Sequence, residues 1–493
     1  MTKTSGGLER VPSGIDGLDT ILGGGLFRAG AYIVQGTPGA GKTIFGNQVA
    51  YHHAGRGGRV LYVTLLAEMH ARMLLHLQSL RFFDPTLVPN AIVYLSAFDV
   101  LEDEGLKGLL ALLRREVQAR GITMLVLDGL VAAEDQAVTR TAFKKFVHEL
   151  QAQVALAGCT ALLLTSAPAG EKISAEHTMV DGIVELGDQL YGFRAERWLE
   201  VRKFRGSGFL RGRHPFRITD AGLVVYPRFE ALYAQATRPD EAWQARLSTG
   251  VEELDTMLHG GIPAASTTAL IGPSGAGKTS LGLQFVARAS KAEPGLLFGF
   301  FESPPRLLGK AQRLGFDLEA AIGQGEVEIL WQPPTENILD ALAHRLIGAV
   351  QRRGVRRLFV DGLGGFTEST ADRGRISNFF AALANELRAL GATTIYTLET
   401  RDLIGSDVLV PVNGISSLVE NMLLLRYVEH EAQLRRLLSV VKLRDSGYDP
   451  RLRELVITAR GISLPDTFAG TRELLSGSAR AGAAPRRPSP SEG

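Results

Sequence analysis

Two short stretches constrain this chain more than any other feature. Gly36-Thr37-Pro38-Gly39-Ala40-Gly41-Lys42-Thr43 and Gly272-Pro273-Ser274-Gly275-Ala276-Gly277-Lys278-Thr279 each fit G-x-x-x-x-G-K-[ST] at every fixed position. Glycines at that spacing let the backbone curl until successive N–H groups point at phosphate oxygens. The lysine then places a cation on the outer phosphates, and the threonine hydroxyl can ligate Mg²⁺. A helix starting at the loop adds its positive end. The context fits: Ala31–Val34 and Thr268–Ile271 read as strands entering the loops, and Ile44–Tyr51 and Ser280–Ala289 as helices leaving them. Such a loop needs a strand on one side and a helix on the other, so two loops call for two α/β domains.

The doubling extends beyond the loops. Arg10-Val11-Pro12-Ser13-Gly14-Ile15-Asp16-Gly17-Leu18-Asp19 resembles Arg246-Leu247-Ser248-Thr249-Gly250-Val251-Glu252-Glu253-Leu254-Asp255, and each precedes a glycine cluster. The offset is 236 from Asp19 to Asp255, and again 236 from Lys42 to Lys278. It is 233 from Asp128 to Asp361, and 239 from Lys203 to Lys442. Four features in one order at nearly one offset indicate a duplicated domain. The expected boundaries are a first domain over 1–233, a linker over 234–245 containing Thr237-Arg238-Pro239-Asp240, a second domain over 246–475, and a tail over 476–493. The tail is rich in Ser, Gly, Ala and Pro and is expected to be disordered, because it has little apolar surface to bury.

Within each repeat, β-type runs alternate with helical patterns. Val60–Leu65, Met124–Leu127 and Ala161–Thr165 read as strands, and Leu106–Arg120 and Thr141–Leu156 as amphipathic helices. Continuously apolar strands alternating with helices indicate a mostly parallel sheet covered on both faces. The expected fold is therefore two tandem RecA-like P-loop domains. Leu125-Val126-Leu127-Asp128 and Leu358-Phe359-Val360-Asp361 each end a buried strand in aspartate. That puts a carboxylate at the sheet's carboxyl edge beside the phosphates, where Asp128 and Asp361 can hold Mg²⁺ with Thr43 and Thr279.

The bulk numbers exclude other classes. Apolar residues are 45% of 493 and charged residues 22%, a globular composition. Lysine plus arginine exceed the acids by only two, which provides no general electrostatic case for nucleic acid or membrane. The single cysteine, Cys159, rules out an intrachain disulfide and reads as core filler. No segment reads as a signal peptide or a membrane span, so the cytoplasm is the expected compartment.

The opening Ser-Gly-x-x-x-Leu-Asp, both phosphate loops and both strand-end aspartates resemble the KaiC family of tandem RecA-like ATPases, over about residues 8–475. Its best-known members are circadian-clock ATPases that also phosphorylate themselves on serine and threonine. They assemble as double-ring hexamers with ATP between subunits. The resemblance implies ATP and Mg²⁺ as cofactors and a homo-hexamer. Val201-Arg202-Lys203-Phe204-Arg205-Gly206 and Val441-Lys442-Leu443-Arg444-Asp445 look like the family's K-x-R strand. The implied role of Lys203, Arg205, Lys442 and Arg444 is to reach the nucleotide of a neighbouring subunit. Ser416 and Ser417, before the strand-like Leu423–Val428, occupy the positions of the family's phosphoacceptor pair. Adjacent serines before a strand are also common turn residues. The first repeat has no hydroxyl pair there.

Two departures matter. The family usually carries adjacent glutamates after the second strand, where a carboxylate can orient water or take a proton. In the second repeat Phe301 takes the first position and Glu302 the second; in the first repeat both are apolar unless Glu68 shifts by one residue. Slow hydrolysis is expected, slower in the first repeat. A RecA- or RadA-like DNA-remodelling ATPase is the competing reading. Against it, the stretches over 165–180 and 400–414 carry little positive charge. A nucleotide-gated scaffold is the third reading. Thr467–Leu475 resembles the family's C-terminal regulatory segment and is a candidate docking site for a protein partner.

Overall fold

The computed structural model describes residues 9–66, 70–166, 179–233, 245–400, 418–430, 433–444 and 446–465. The chain divides into two compact units, Met1–Leu232 and Tyr233–Gly493.

In the first unit the strands of the main sheet are β1 (Ala31–Gly36), β2 (Val60–Thr64), β3 (Ile92–Ser96), β4 (Met124–Asp128), β5 (Thr160–Ser166), β6 (Gly182–Tyr191), β7 (Arg194–Phe204), β8 (Arg213–Thr219) and β9 (Gly222–Val225). They lie in the order β9-β8-β7-β6-β1-β5-β4-β2-β3. From β6 to β3 every pairing is parallel; β7, β8 and β9 add antiparallel strands at one side. Both faces are covered. The helix α1 (Lys42–Gly55) packs on one, and α2 (His70–Leu77) flanks that side. α3 (Phe98–Arg120), α4 (Leu130–Asp135) and α5 (Arg140–Leu156) pack on the other.

The two-residue period of a strand explains the continuous apolar runs. Tyr32, Val34, Tyr62, Val126 and Leu162 face α1 and meet Phe45, Val49 and Ala50. Their neighbours Ile33, Leu61, Val63, Leu125 and Leu163 face the opposite core with Leu109, Leu113, Phe143 and Phe146. Each fully buried Leu, Ile or Phe contributes about 1.5–3 kcal/mol, so a polar residue on either face is disfavoured.

The second unit repeats the plan with β10 (Thr267–Gly272), β11 (Gly295–Gly299), β12 (Val327–Trp331), β13 (Arg357–Asp361), β14 (Thr393–Glu399), β15 (Asn421–His430), β16 (Gln433–Leu443) and β17 (Arg453–Glu454). The order is β12-β11-β13-β14-β10-β15-β16-β17, parallel from β12 to β15 and antiparallel beyond. Its helices include α6 (Lys278–Val286), α7 (Pro304–Arg313), α8 (Leu339–Arg353) and α9 (Ile376–Ala389). Phe298, Phe300, Phe366, Phe379 and Phe380 form an aromatic cluster with centroids 5.1–6.0 Å apart along its contacts.

Two helices differ from expectation. α6 stops at Val286 rather than Ala289: the Arg288 and Ala289 N–H groups donate to the carbonyls three residues back, of Phe285 and Val286, instead of four. The helical pattern expected over Leu106–Arg120 is the second half of α3; Gly105, at φ 63 and ψ −161, breaks that helix just before it. Among the described residues no helix is long and apolar enough to cross a membrane.

Candidate nucleotide sites

The phosphate loops leave the carboxyl ends of β1 and β10, strands flanked on both sides by parallel neighbours. In the first loop Gly39 and Gly41 lie at φ 81 and 103; in the second Gly275 and Gly277 lie at φ 75 and 104. These left-handed turns suit glycine and aim the N–H groups inward. The helix caps Gly41 and Gly277 have no side-chain hydrogen bond. The first-turn N–H groups of α1 and α6 thus face the loop with the helix's positive end behind them. Lys42 Nζ donates to the Gly36 and Thr37 carbonyls at 2.9 and 3.0 Å. Lys278 Nζ donates to the Gly272 and Pro273 carbonyls, both at 2.7 Å. Burial lowers both lysine pKa values, opposed in the first site by Asp128 and in the second by Glu399 and Asp361. A partly desolvated ammonium of this kind gains from an anion placed beside it.

The strand-end aspartates meet the loop threonines. Thr43 Oγ1 donates to Asp128 Oδ2 at 3.1 Å, and Thr279 Oγ1 to Asp361 Oδ1 at 3.3 Å. Each aspartate also has a second hydroxyl that the sequence did not flag. In the first unit Tyr62, fully buried on β2, donates to Asp128 Oδ2 at 2.9 Å. In the second unit Thr397 on β14 donates to Asp361 Oδ1 at 2.9 Å while accepting from the Gly362 N–H at 2.6 Å. Burial raises the Asp361 pKa; Thr397 and Thr279 lower it, Glu302 raises it and Lys310 lowers it. A buried carboxylate among oxygen donors is suited to a hard divalent cation. Among the described residues no group of three or more His, Cys, Asp or Glu could hold a metal. One carboxylate and one hydroxyl at each site fit a cation such as Mg²⁺ that takes water and phosphate oxygens as its other ligands.

Register locates the glutamate positions. Thr64 pairs with Asp128, and Gly299 with Asp361, so Leu66 corresponds to Phe301. Both lie over the glycine that follows the aspartate: a Cβ at Gly129 would meet Leu66 at 2.9 Å, and one at Gly362 would meet Phe301 at 2.6 Å. They are 45% and 57% exposed, so each puts an apolar group at the solvent edge where the first glutamate is expected. The helices that follow are one residue out of step. Met73 and Leu77 are buried on α2, and Leu307 and Ala311 on α7, so the first unit's turn is one residue longer. Ala67 and Glu68 lie outside the described residues. In the second unit Glu302 is in an ion pair with Lys310 of α7. A cleft of about 700 Å³ brings Lys278, Thr279, Glu302, Lys310, Asp361 and Glu399 together.

The K-x-R residues are at the other edge of each sheet. Arg205 N–H bonds to the Asp181 carbonyl and Asp181 N–H to the Ala31 carbonyl, level with the first residue of β1. The phosphate loop leaves from the last residue, five steps away, or about 16 Å. Arg444 is level with Thr267 in the same way, through Glu420. Lys203 and Lys442 are in their strands, and Arg205 and Arg444 follow just past the strand ends. Lys442 Nζ donates to the Val419 carbonyl at 2.7 Å. Burial lowers both lysine pKa values, and so does the neighbouring arginine, with Asp181 and Glu420 opposing. Ser416 and Ser417 lie outside the described residues, as do Thr467–Leu475 and the tail.

The family profile described as ATPase: KaiC matches twice, over residues 11–230 and 247–467. The circadian clock oscillator protein KaiC of Prochlorococcus marinus subsp. pastoris is 26% identical over 483 residues, covering 95% of this chain and 93% of that protein. That of Parathermosynechococcus lividus is 26% identical over 489 residues, covering 96% and 88%. That of a Picosynechococcus strain is 25% identical over 488 residues, covering 96% and 92%.

Proposed function

Since the chain belongs to the KaiC ATPase family, we propose that it is a Mg²⁺-dependent ATPase whose sites are completed between copies in a homo-hexamer, with phosphoryl transfer strongest in the second unit. An ATP-binding protein of ATPase or kinase type follows from the family itself, and the match favours this over DNA remodelling. The carrying observation is the separation of each phosphate loop from the Lys–Arg pair of the same unit, at opposite edges of one sheet. A cation about 16 Å away along the strands does not serve its own loop. It can serve the loop of the next copy, as the family resemblance implies.

In this reading the loop N–H groups and Lys42 or Lys278 bind the phosphates. Thr43 with Asp128, and Thr279 with Asp361, hold the metal. Tyr62 and Thr397 keep those aspartates in place. When bound, Mg²⁺ neutralises charge on the β- and γ-phosphate oxygens. Lys203 with Arg205, and Lys442 with Arg444, act on a neighbour's terminal phosphate as arginine fingers do. In hydrolysis the water oxygen bonds to the γ-phosphorus. In the second unit the bond to the bridging oxygen breaks, ADP leaves with its electron pair, and a water proton passes to Glu302. Leu66 and Phe301 replace one carboxylate in each unit and Ala67 the other in the first, so turnover is slow and slower in the first unit; loss of a general base altogether typically costs about 10²–10⁴-fold.

In the second unit a hydroxyl of Ser416 or Ser417 is the alternative acceptor, so that the chain phosphorylates itself and serves as a nucleotide-dependent timing or signalling switch. A protein partner would dock at Thr467–Leu475, and the working compartment would be the cytoplasm. Light scattering tests the assembly: Mg·ATP should convert the chain to a hexamer, and Lys42→Ala/Lys278→Ala should not convert. A chain that stays monomeric at saturating Mg·ATP would refute completion between copies.

A further inference from the structure

Lys310 has no part in the sequence motifs, yet it faces the second nucleotide cleft paired with Glu302. Glu302 is the carboxylate three residues past the end of β11, in the place where a base would receive the water proton. Lys310 is two turns into α7 and reaches back to Glu302 Oε1 with its Nζ. Their side chains are 30% and 28% exposed. Proline at the start of α7 and the buried Leu307 and Ala311 orient the helix, so this cation is delivered by a packed element. By the register of buried positions, the first unit has the exposed His76 at the corresponding place. A permanent cation at this point therefore belongs to the second site.

A general base must offer a free oxygen lone pair to the water it activates. An oxygen engaged by an ammonium is a poorer acceptor and is held in one direction. Lys278 is the lysine held at the phosphate loop, and the hydrogen bond of Lys310 goes to Glu302. We infer that Lys310 is a positioning residue that restrains Glu302, so that ATP turnover in the second unit is throttled by an ion pair within the chain. This rests on the reading of the second unit as an ATP-turnover site. A partly exposed pair of this kind is weak, so the restraint corresponds to a factor of about two to five.

The test is steady-state ATP turnover of the full chain carrying Lys310→Met, Lys310→Arg, Lys310→Met/Glu302→Gln and Lys310→Met/Lys278→Ala. Lys310→Met should raise kcat about two- to five-fold with KM changed less than about two-fold. Lys310→Arg should match the parent, and either second substitution should abolish the gain. A general packing effect would not be rescued by arginine or depend on Glu302. An unchanged or lower kcat in Lys310→Met, or a gain that survives Glu302→Gln, overturns the inference. Lys278→Ala alone separates the two readings. If it leaves the parent's rate unchanged, the parent's second site is silent and that part of the proposed function fails. The restraint then stands only if Lys310→Met creates turnover that Lys278→Ala removes; if it creates none, the restraint is overturned as well.

Discussion

Replacing Thr397 by valine should damage the second site through one hydroxyl. That hydroxyl donates to Asp361 at 2.9 Å and accepts from the Gly362 N–H at 2.6 Å, and the residue is 3% exposed. Valine keeps the shape and removes both bonds. A hydrogen bond to a charged group contributes about 1.5–3 kcal/mol, and an orphaned buried donor costs about 1–3 kcal/mol. The extra buried methyl offsets about 0.8 kcal/mol. The net destabilisation is about 2–5 kcal/mol, a large share of the roughly 5–15 kcal/mol that holds a domain together. Urea unfolding, followed for the second unit by a local probe, measures it. Mg·ATP binding to that unit should weaken in parallel, because Asp361 loses the donor that steadies it. Thr397→Ser should keep most of both. A valine variant within about 0.5 kcal/mol of the parent, with ATP affinity intact, would refute this role for Thr397.

Asp361→Asn should unfold at higher temperature than the parent near neutral pH in the absence of nucleotide, while losing second-site turnover. Burial holds the Asp361 carboxyl above its usual range. The contribution of that raised pKa is therefore full below the ordinary carboxylate pKa and is lost as pH rises through the raised one. The advantage of asparagine in thermal melts should fade on acidification. Phe301→Glu restores a carboxylate at an exposed position over Gly362 and should raise second-site turnover at least tenfold by phosphate-release assay, toward the 10²–10⁴ that a placed base supplies. Intact-mass analysis after incubation with Mg·ATP should show added phosphate on the parent and none on Ser416→Ala/Ser417→Ala.

The parts legible in the sequence are those whose chemistry is local. Lys42 and Thr43 must follow glycines at short spacing, so the loop can be recognised from eight residues. The strands were readable because β2 and β4 bury both faces, and Val-Leu-Tyr-Val and Met-Leu-Val-Leu show it as uninterrupted apolar runs. What escaped depends on register between distant segments. Tyr62 sits within one of those apolar runs, and only its strand pairing shows that its hydroxyl reaches Asp128, 66 residues later. Thr397 reaches Asp361 the same way across β13 and β14. The two repeats thus steady the same aspartate from different strands, which no comparison of their motifs would reveal. Lys310 is eight residues from Glu302, and its contact depends on where α7 begins. The glutamate positions were legible as a substitution, but the correspondence of Leu66 with Phe301 required the pairing of Thr64 and Gly299 with the aspartates.

Completion of each site by a second copy is tested most directly by mixing two inactive variants. One, Asp128→Asn/Asp361→Asn, lacks the metal-holding carboxylates but keeps the ATP-binding loop lysines and the edge cations. The other, Lys203→Ala/Arg205→Ala/Lys442→Ala/Arg444→Ala, has intact loops without them. Co-assembled in equal amounts, they should recover roughly one quarter of parental ATP turnover, because one interface in four then pairs a complete loop-and-aspartate site with an intact cation pair in a closed ring. Turnover of the mixture no higher than that of the two variants assayed separately, with mixed assembly shown by light scattering, would contradict sites shared between copies.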